Sequence, residues 1–525
     1  EVKDGNLEVD VVVKLGLPDG FALHDGSWQL AVDAHRLGGG RFASKPDGPL
    51  HLPLVVDSGY EIIELWGGAT LDASLRFTGD DPFERLETFT AELDKAGRPL
   101  QIRSLCRGQN LFGYAPYPDN VVVGFLKEAV RTAKTATVTH RMRVFDALND
   151  HRNLVTAVMA TKTFDGHAEA AISYTTSPVH DDAHFLRFAE NAIEWGADSL
   201  AIKDMAGLLH PADAWPLIEA VKSRFPNKFL TLHSHDTNGL AIGSYVVAMM
   251  AGIDALDTGY GPMAGASAQP PAEVMKYFAD ALGVELNVDF THAGEIDKRL
   301  RQIRAELADV DKNPDHFGEP WPAQPTDAMK AAVDEAIALL QTRDRDKCTQ
   351  ACDIIEEKLM VPQGYPAVDK SQLESQIPGG MLSNLYNQLK DQDKLDLLPK
   401  VQDEIPRVRK AAGYVPLVTP TSQIVGTQAT FNVMQGAPYA FVSEPFRDMM
   451  MGNYGKLPGP ADPEVMAKVA RGEQPFTGRP ADRVEDADLA KVYAEHGELL
   501  KSHRDLLLML LFPAPAKKFF SDRGS

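Results

Sequence analysis

A chain of 525 residues with 44% apolar and 24% charged side chains has the composition of a globular protein of more than one domain, not of a disordered one. Its formal net charge of −21, with no basic run to offset it, argues against nucleic acid as the main partner. Three cysteines, Cys106, Cys348 and Cys352, are too few for a disulfide framework and fit a reducing, cytoplasmic setting.

Residues 1–20 read as an N-terminal arm; EVKDGNLEVD has neither the basic nor the apolar segment of a secretory leader. From residue 21 onward, short apolar, β-branched runs alternate with longer segments of helical spacing. The strand candidates are FALHD (21–25), EIIELWG (61–67), PLQIRSLCR (99–107), MRVFD (142–146), EAAISYT (169–175), DSLAIKD (198–204), FLTLHSH (229–235) and IDALDTG (253–259). Helical candidates lie between them, among them PFERLETFTAELDKAG after the second and DAWPLIEAVKSRF after the sixth. Eight such repeats predict a closed (β/α)8 TIM barrel over residues 21–290.

Residues 291–515 read as a mainly helical C-terminal domain, its first part helical and charged but interrupted by the Pro-rich loop NPDHFGEPWPAQP within an insertion near 311–366, and residues 516–525 as a tail. Cys348 and Cys352 share a helical face, but no second pair follows to complete a zinc site, so both are expected to pack. LLLMLLF at 506–512 is far shorter than the ~20 residues of a membrane span.

Barrel enzymes gather their chemistry where strands end. The residues finishing the eight runs include Asp25, Trp66, Arg107, Asp146, Lys203, His233, His235 and Asp257. In HSH, positions i and i+2 point to one side of a strand, so both imidazoles can face one ion. Taken alone, each has an ordinary alternative: a lysine ending a strand is usually solvated, and a His-x-His pair often only satisfies hydrogen bonds.

IELWGGATLDASLRF, RGQNLFGYAPYPDN, VFDALND, IKDMAGLL, LHSHDTNG, PGGMLSNLYNQLKDQ and PLVTPTSQIVGTQA together resemble, in order, the carboxyltransferase domain of biotin-dependent enzymes. That family includes pyruvate carboxylase, the oxaloacetate decarboxylase α subunit and the pyruvate-handling subunit of transcarboxylase. The resemblance implies transfer of CO2 between carboxybiotin and pyruvate or oxaloacetate through a metal-stabilised enolpyruvate. It implies a divalent metal (zinc, cobalt or manganese) held by Asp25, His233, His235 and a Lys203 carboxylated on its amine. Arg107 would hold the substrate's anionic groups, Asp72 and Tyr114 would contact the biotin ring, and Ser267 stands where the family carries a proton-shuttling threonine.

The first strand departs from the pattern. Where the family reads RDAHQS, this chain has HDGSWQ at 24–29: Asp25 remains, His24 replaces arginine, Trp28 stands at the glutamine position, and Gln29, the substrate-binding candidate, falls one place later. A further segment around TAKTATVTH and the stretch near 311–366 are additions to the family's pattern. No Met-Lys-Met biotinylation pattern occurs, so biotin is expected on a separate carrier domain or subunit, and the family suggests a homo-oligomer, a dimer. Two other readings are open: a metal-dependent acyl lyase or Claisen-type synthase on the same barrel, which HDGSWQ loosely resembles, and a scaffold subunit impaired in its first-strand chemistry.

Overall fold

The alternation of strand and helix closes on itself. A computed structural model describes residues 10–14, 52–306, 320–368 and 392–524, with isolated positions between 376 and 390. Eight parallel strands form a closed barrel in sequence order: β1 (Asp10–Lys14), β2 (Ile62–Trp66), β3 (Leu100–Cys106), β4 (Val138–Phe145), β5 (His167–Ser173), β6 (Ser199–Asp204), β7 (Leu230–Ser234) and β8 (Ala255–Thr258). Seven of the eight overlap the runs read from sequence. The first does not: FALHD at 21–25 lies outside the described residues, and the slot between β2 and β8 is filled by Asp10–Lys14. DVVVK carries three consecutive valines, whose branching favours a strand, and this run falls inside the stretch read as an arm. The added TAKTATVTH segment leads into the barrel, because its last residues begin β4.

Helices α1 (Leu52–Asp57), α2 (Pro82–Asp94), α3 (Asp119–Thr132), α4 (Val155–Thr163), α5 (Asp182–Glu194), α6 (Pro211–Arg224), α7 (Ala241–Ala251) and α8 (Ala272–Leu282) alternate with the strands. The local sequence explains their starts and buried faces. In α2, Asp81 caps the first turn by accepting from Phe83 N at 2.8 Å, Pro82 presets the entry, and Phe83, Leu86 and Leu93 line the inner face. Helix α7 is buried on every side, which a surface helix cannot be. Two further helices, α10 (Asp327–Leu340) and α11 (Arg345–Ile355), cover it from outside, and a Cβ on Gly243 would lie 2.8 Å from Cys352 Sγ. Cys348 and Cys352 are buried packing residues, as expected. Between α8 and α10 runs α9 (Ala293–Glu306).

Two cores serve the rest of the chain. Helices Leu398–Ala411, Thr421–Gln435, Glu444–Met450 and Pro463–Ala470 build one around Val401, Ile405, Val425 and Met449. The helices His503–Leu511 and Pro513–Gly524 return to the barrel, where Leu507 and Phe520 join the large core outside the strands. LLLMLLF therefore packs against protein, and among the described residues no helix is long and apolar enough to cross a membrane.

Candidate active site

Period-two alternation sorts each strand's residues between the barrel interior and the helices. In β6, Leu200 and Ile202 join the outer core, while Ala201 packs inside with Leu105, Phe145 and Ala171. Lys203 has the same parity as Ala201, so it too faces inward. It pairs in register with His233 on β7, and its Nζ lies 3.3 Å from His233 Nε2 and 5.4 Å from the Phe145 ring centre. Lys203 is 1% exposed; the ordinary alternative of a solvated strand end does not apply. Its neighbour Asp204 turns the other way and accepts from Leu208 N, Leu209 N and Ser234 Oγ, which shapes the turn after β6.

His235 follows two residues on, its ring centre 5.2 Å from that of His233. The proton positions of both rings follow from their partners. His235 Nδ1 sits 2.5 Å from the carbonyl oxygen of Ser267, which can only accept, so Nδ1 carries the proton and Nε2 carries the lone pair. His233 Nδ1 lies 2.7 Å from Asp257 Oδ2, while its Nε2 faces two donors, Lys203 Nζ and Gln269 Nε2, each at 3.3 Å. Two imidazoles with Nε2 lone pairs at one strand end are suited to a divalent cation, and a carboxylate or carbonyl behind each Nδ1 is the usual orienting partner of a metal-binding histidine. Asp25 and Gln29 lie outside the described residues, as do His24 and Trp28.

On the β2–β3 side, a second group assembles. Arg107 follows β3, and its Nη1 donates to Phe112 O at 2.8 Å and Gly113 O at 3.2 Å; its guanidinium carbon lies 5.5 Å from the Tyr114 ring centre. Gly68 makes this position possible, because a Cβ there would stand 2.6 Å from Arg107 Nη2. Asp72, on the short helix Thr70–Ala73, is buried and accepts from Arg76 Nε at 2.6 Å. Tyr114 feels both neighbours: burial raises its hydroxyl above the ordinary value, Arg107 lowers it, and Asp72 raises it. Trp66, a strand-end residue, belongs instead to the outer core, edge-on to Phe83 and Phe112. Asp146 is buried and accepts from Leu148 N, Asp150 N and Asn153 Nδ2, each at 2.9 Å, so it organises the β4 loop.

Below the mouth lies an ionic layer of which strand-end reasoning singled out only Asp257. Arg103 is clamped by Asp257, with Nη1–Oδ1 2.9 Å and Nη2–Oδ2 2.7 Å, and by Glu64. Arg143 bridges Asp257 and Glu169, and Arg141 joins Glu169. Burial alone would raise the Asp257 carboxyl; Arg103, Arg143 and the His233 hydrogen bond hold it well below the carboxylate range. The sequence signal was a charged residue at alternate positions within apolar runs, as in IIELW, IRSL, MRVF and LDT.

A closed barrel with a buried lysine, paired histidines and an aromatic-backed arginine at its strand ends has the layout of an enzyme for a small anionic substrate. Residues 123–299 match the HMGL-like family model and residues 373–525 the conserved carboxylase domain model. The chain is 37% identical over 472 residues to the methylmalonyl-CoA carboxyltransferase 5S subunit of Propionibacterium freudenreichii subsp. shermanii, covering 89% of this chain and 81% of that one. It is 37% identical over 463 residues to a pyruvate carboxylase subunit of Methanocaldococcus jannaschii, covering 88% and 71%. The carboxyl transferase domain of Rhizobium etli pyruvate carboxylase, solved with pyruvate and biocytin, shares the fold at a TM-score of 0.72 and 23% identity, over 99% of this chain and 78% of that one. The chain belongs to the carboxyltransferase family of biotin-dependent enzymes.

Proposed function

We propose that this carboxyltransferase moves CO2 between carboxybiotin on a partner carrier and pyruvate or oxaloacetate. The observation that carries the reading is the meeting of Lys203 with the His233 and His235 rings at the same barrel end as Arg107, Asp72 and Tyr114. A relative named for pyruvate carboxylation supports the substrate, and the fold is one that holds pyruvate and biocytin together in the Rhizobium etli domain.

Lys203, His233 and His235, with Asp25, are the proposed ligands. A buried ammonium is costly and repels a cation; carboxylation of the Lys203 amine replaces it with an anion that offers two oxygens beside the imidazole nitrogens. A bound divalent ion there supplies a Lewis acid for the substrate carbonyl. Arg107, its plane set by two backbone carbonyls and the Tyr114 face, holds the substrate carboxylate through charge-assisted hydrogen bonds. Asp72 and Tyr114 receive the biotin ring. The N–CO2 bond of carboxybiotin breaks, Ser267 Oγ relays a proton from the substrate methyl to the biotin ring nitrogen, and the methyl carbon bonds to CO2. No electrons enter or leave, and the reverse sequence decarboxylates oxaloacetate.

The acyl-lyase reading gains from the HMGL-like match to the barrel; the conserved carboxylase match over residues 373–525 favours carboxyl transfer. The test is metal analysis beside oxaloacetate decarboxylation with free biotin. Lys203→Ala and His235→Ala should each lose bound metal and turnover together, while Ser267→Ala keeps the metal and loses at least ~100-fold in turnover. Full metal occupancy in either ligand variant, or unchanged turnover in Ser267→Ala, overturns the assignment; turnover of acyl-CoA in place of oxaloacetate favours the lyase.

A further inference from the structure

The stretch near 311–366 has no role in the reading so far, yet its far end reaches the loop that carries Ser267. We infer that Tyr365, backed by Trp321 and Met360, is a positioning residue that braces the β8–α8 loop and so sets the place of the Ser267 hydroxyl. The inference rests on the proposed proton relay for its catalytic consequence, and on geometry alone for the brace.

The loop between Gly259 and Ala272 is pinned at its base, where Gly259 N donates to Pro270 O at 3.0 Å and Ala272 N donates to Gly259 O at 2.7 Å. Its tip takes an unusual path. Gly265 and Ala266 both have left-handed backbone, φ 73° and 49°, and left-handed geometry is disfavoured for a residue with a Cβ. The tip closes on itself through Gly265 N to Gln269 O at 2.7 Å and Ala268 N to Gly265 O at 2.9 Å. These turns deliver the Ser267 carbonyl to His235 and the Gln269 amide to His233. An exposed alanine held in that conformation needs support from around it.

Tyr365 supplies that support from outside the barrel. Its ring packs against the tip, so that a Cβ on Gly265 would stand 2.8 Å from two ring carbons and 3.4 Å from Met360 Cε. Its hydroxyl donates to Gly261 O at 2.6 Å and accepts from Trp321 Nε1 at 3.3 Å. Trp321 in turn packs edge-on against Tyr277 of α8 with ring centres 5.9 Å apart, and the Tyr277 hydroxyl donates to Pro322 O. Tyr365, Trp321 and Met360 are all buried. Helix α10 holds this segment by packing on α7 and α8, and α11 by packing on α6 and α7. One aromatic chain thus links the added segment to both ends of the Ser267 loop.

The experiment compares wild type, Tyr365→Phe and Gly265→Ala, the last of which pushes a methyl into the ring from the other side. Hydrogen exchange of peptides covering 259–271 reads the brace without any need for turnover, and both variants should exchange there about five- to tenfold faster, the worth of one lost hydrogen bond. Oxaloacetate decarboxylation reads the consequence: kcat falls about tenfold or more from misplacement of the relay, while KM and bound metal hold. Exchange unchanged in Tyr365→Phe overturns the brace whatever Gly265→Ala does, because an alanine at φ 73° strains the tip by itself. Faster exchange with kcat intact, while Ser267→Ala is inactive, overturns its positioning role. A wild-type protein without oxaloacetate turnover defeats the proposed function instead, and the exchange result still decides the brace.

Discussion

Asp257→Asn removes one of three buried carboxylates that offset three buried arginines in the barrel. Arg103, Arg141 and Arg143 stand against Glu64, Glu169 and Asp257, so three positive and three negative charges leave the described layer neutral, and the variant leaves it at +1. The amide also turns a donor toward guanidinium groups that need acceptors. Breaking a buried ionic network by removing one partner costs roughly 3–5 kcal/mol, which lowers Tm by roughly 5 °C or more in a domain of barrel size. The same change takes the anionic partner from His233 Nδ1, and losing such a partner weakens metal binding about 10- to 100-fold. Calorimetry reads the first effect, and metal retained after dialysis against graded chelator reads the second. Adding Arg143→Gln restores neutrality and should recover part of the Tm without recovering metal retention. An Asp257→Asn protein that melts with wild type and keeps its metal at the same chelator concentration refutes both the charge balance and the His233 assignment.

Glu273 gives a pH test. Burial pushes its carboxyl up to about 8, against the lowering effect of the Gly261 N–H. Its folded value lies above the unfolded value of about 4.5, so its contribution is full below about pH 4.5 and is lost as pH rises toward 8, with a slope of at most about 1.4 kcal/mol per pH unit. Glu273→Gln keeps the hydrogen bond and cannot ionise; its Tm should fall less than that of wild type between pH 5 and 8, and parallel Tm profiles would refute the burial argument. Gly68→Ala places a methyl against Arg107 Nη2, a movable side-chain end, so folding should be spared. KM for oxaloacetate should rise about tenfold or more with the loss of a charge-assisted contact, and an unchanged KM would remove Arg107 from substrate binding.

How much of this was legible beforehand differs from strand to strand. β6 and β7 were readable because SLAIKD and LTLHS alternate cleanly, and alternation fixes which side chains share the interior. The pairing of Lys203 with His233 is the consequence of parallel register, which a sequence pattern implies only once the strands are known to be neighbours. The first strand was harder to read because two β-branched or apolar runs, DVVVK and FALHD, stand within 25 residues; Asp10–Lys14 pairs with β2 and β8, and FALHD lies outside the described residues.

The sequence by itself determined the order of strands and helices, the inward or outward sense of most strand residues, and the family to which the motifs belong. Those are local properties, set by period and by residue type. The neutral ionic layer, the protonated nitrogen of each imidazole, and the reach of Tyr365 to a loop 104 residues earlier were decided by tertiary structure alone. Each depends on which distant groups share a low-dielectric space, and neither pattern nor propensity along one chain specifies that.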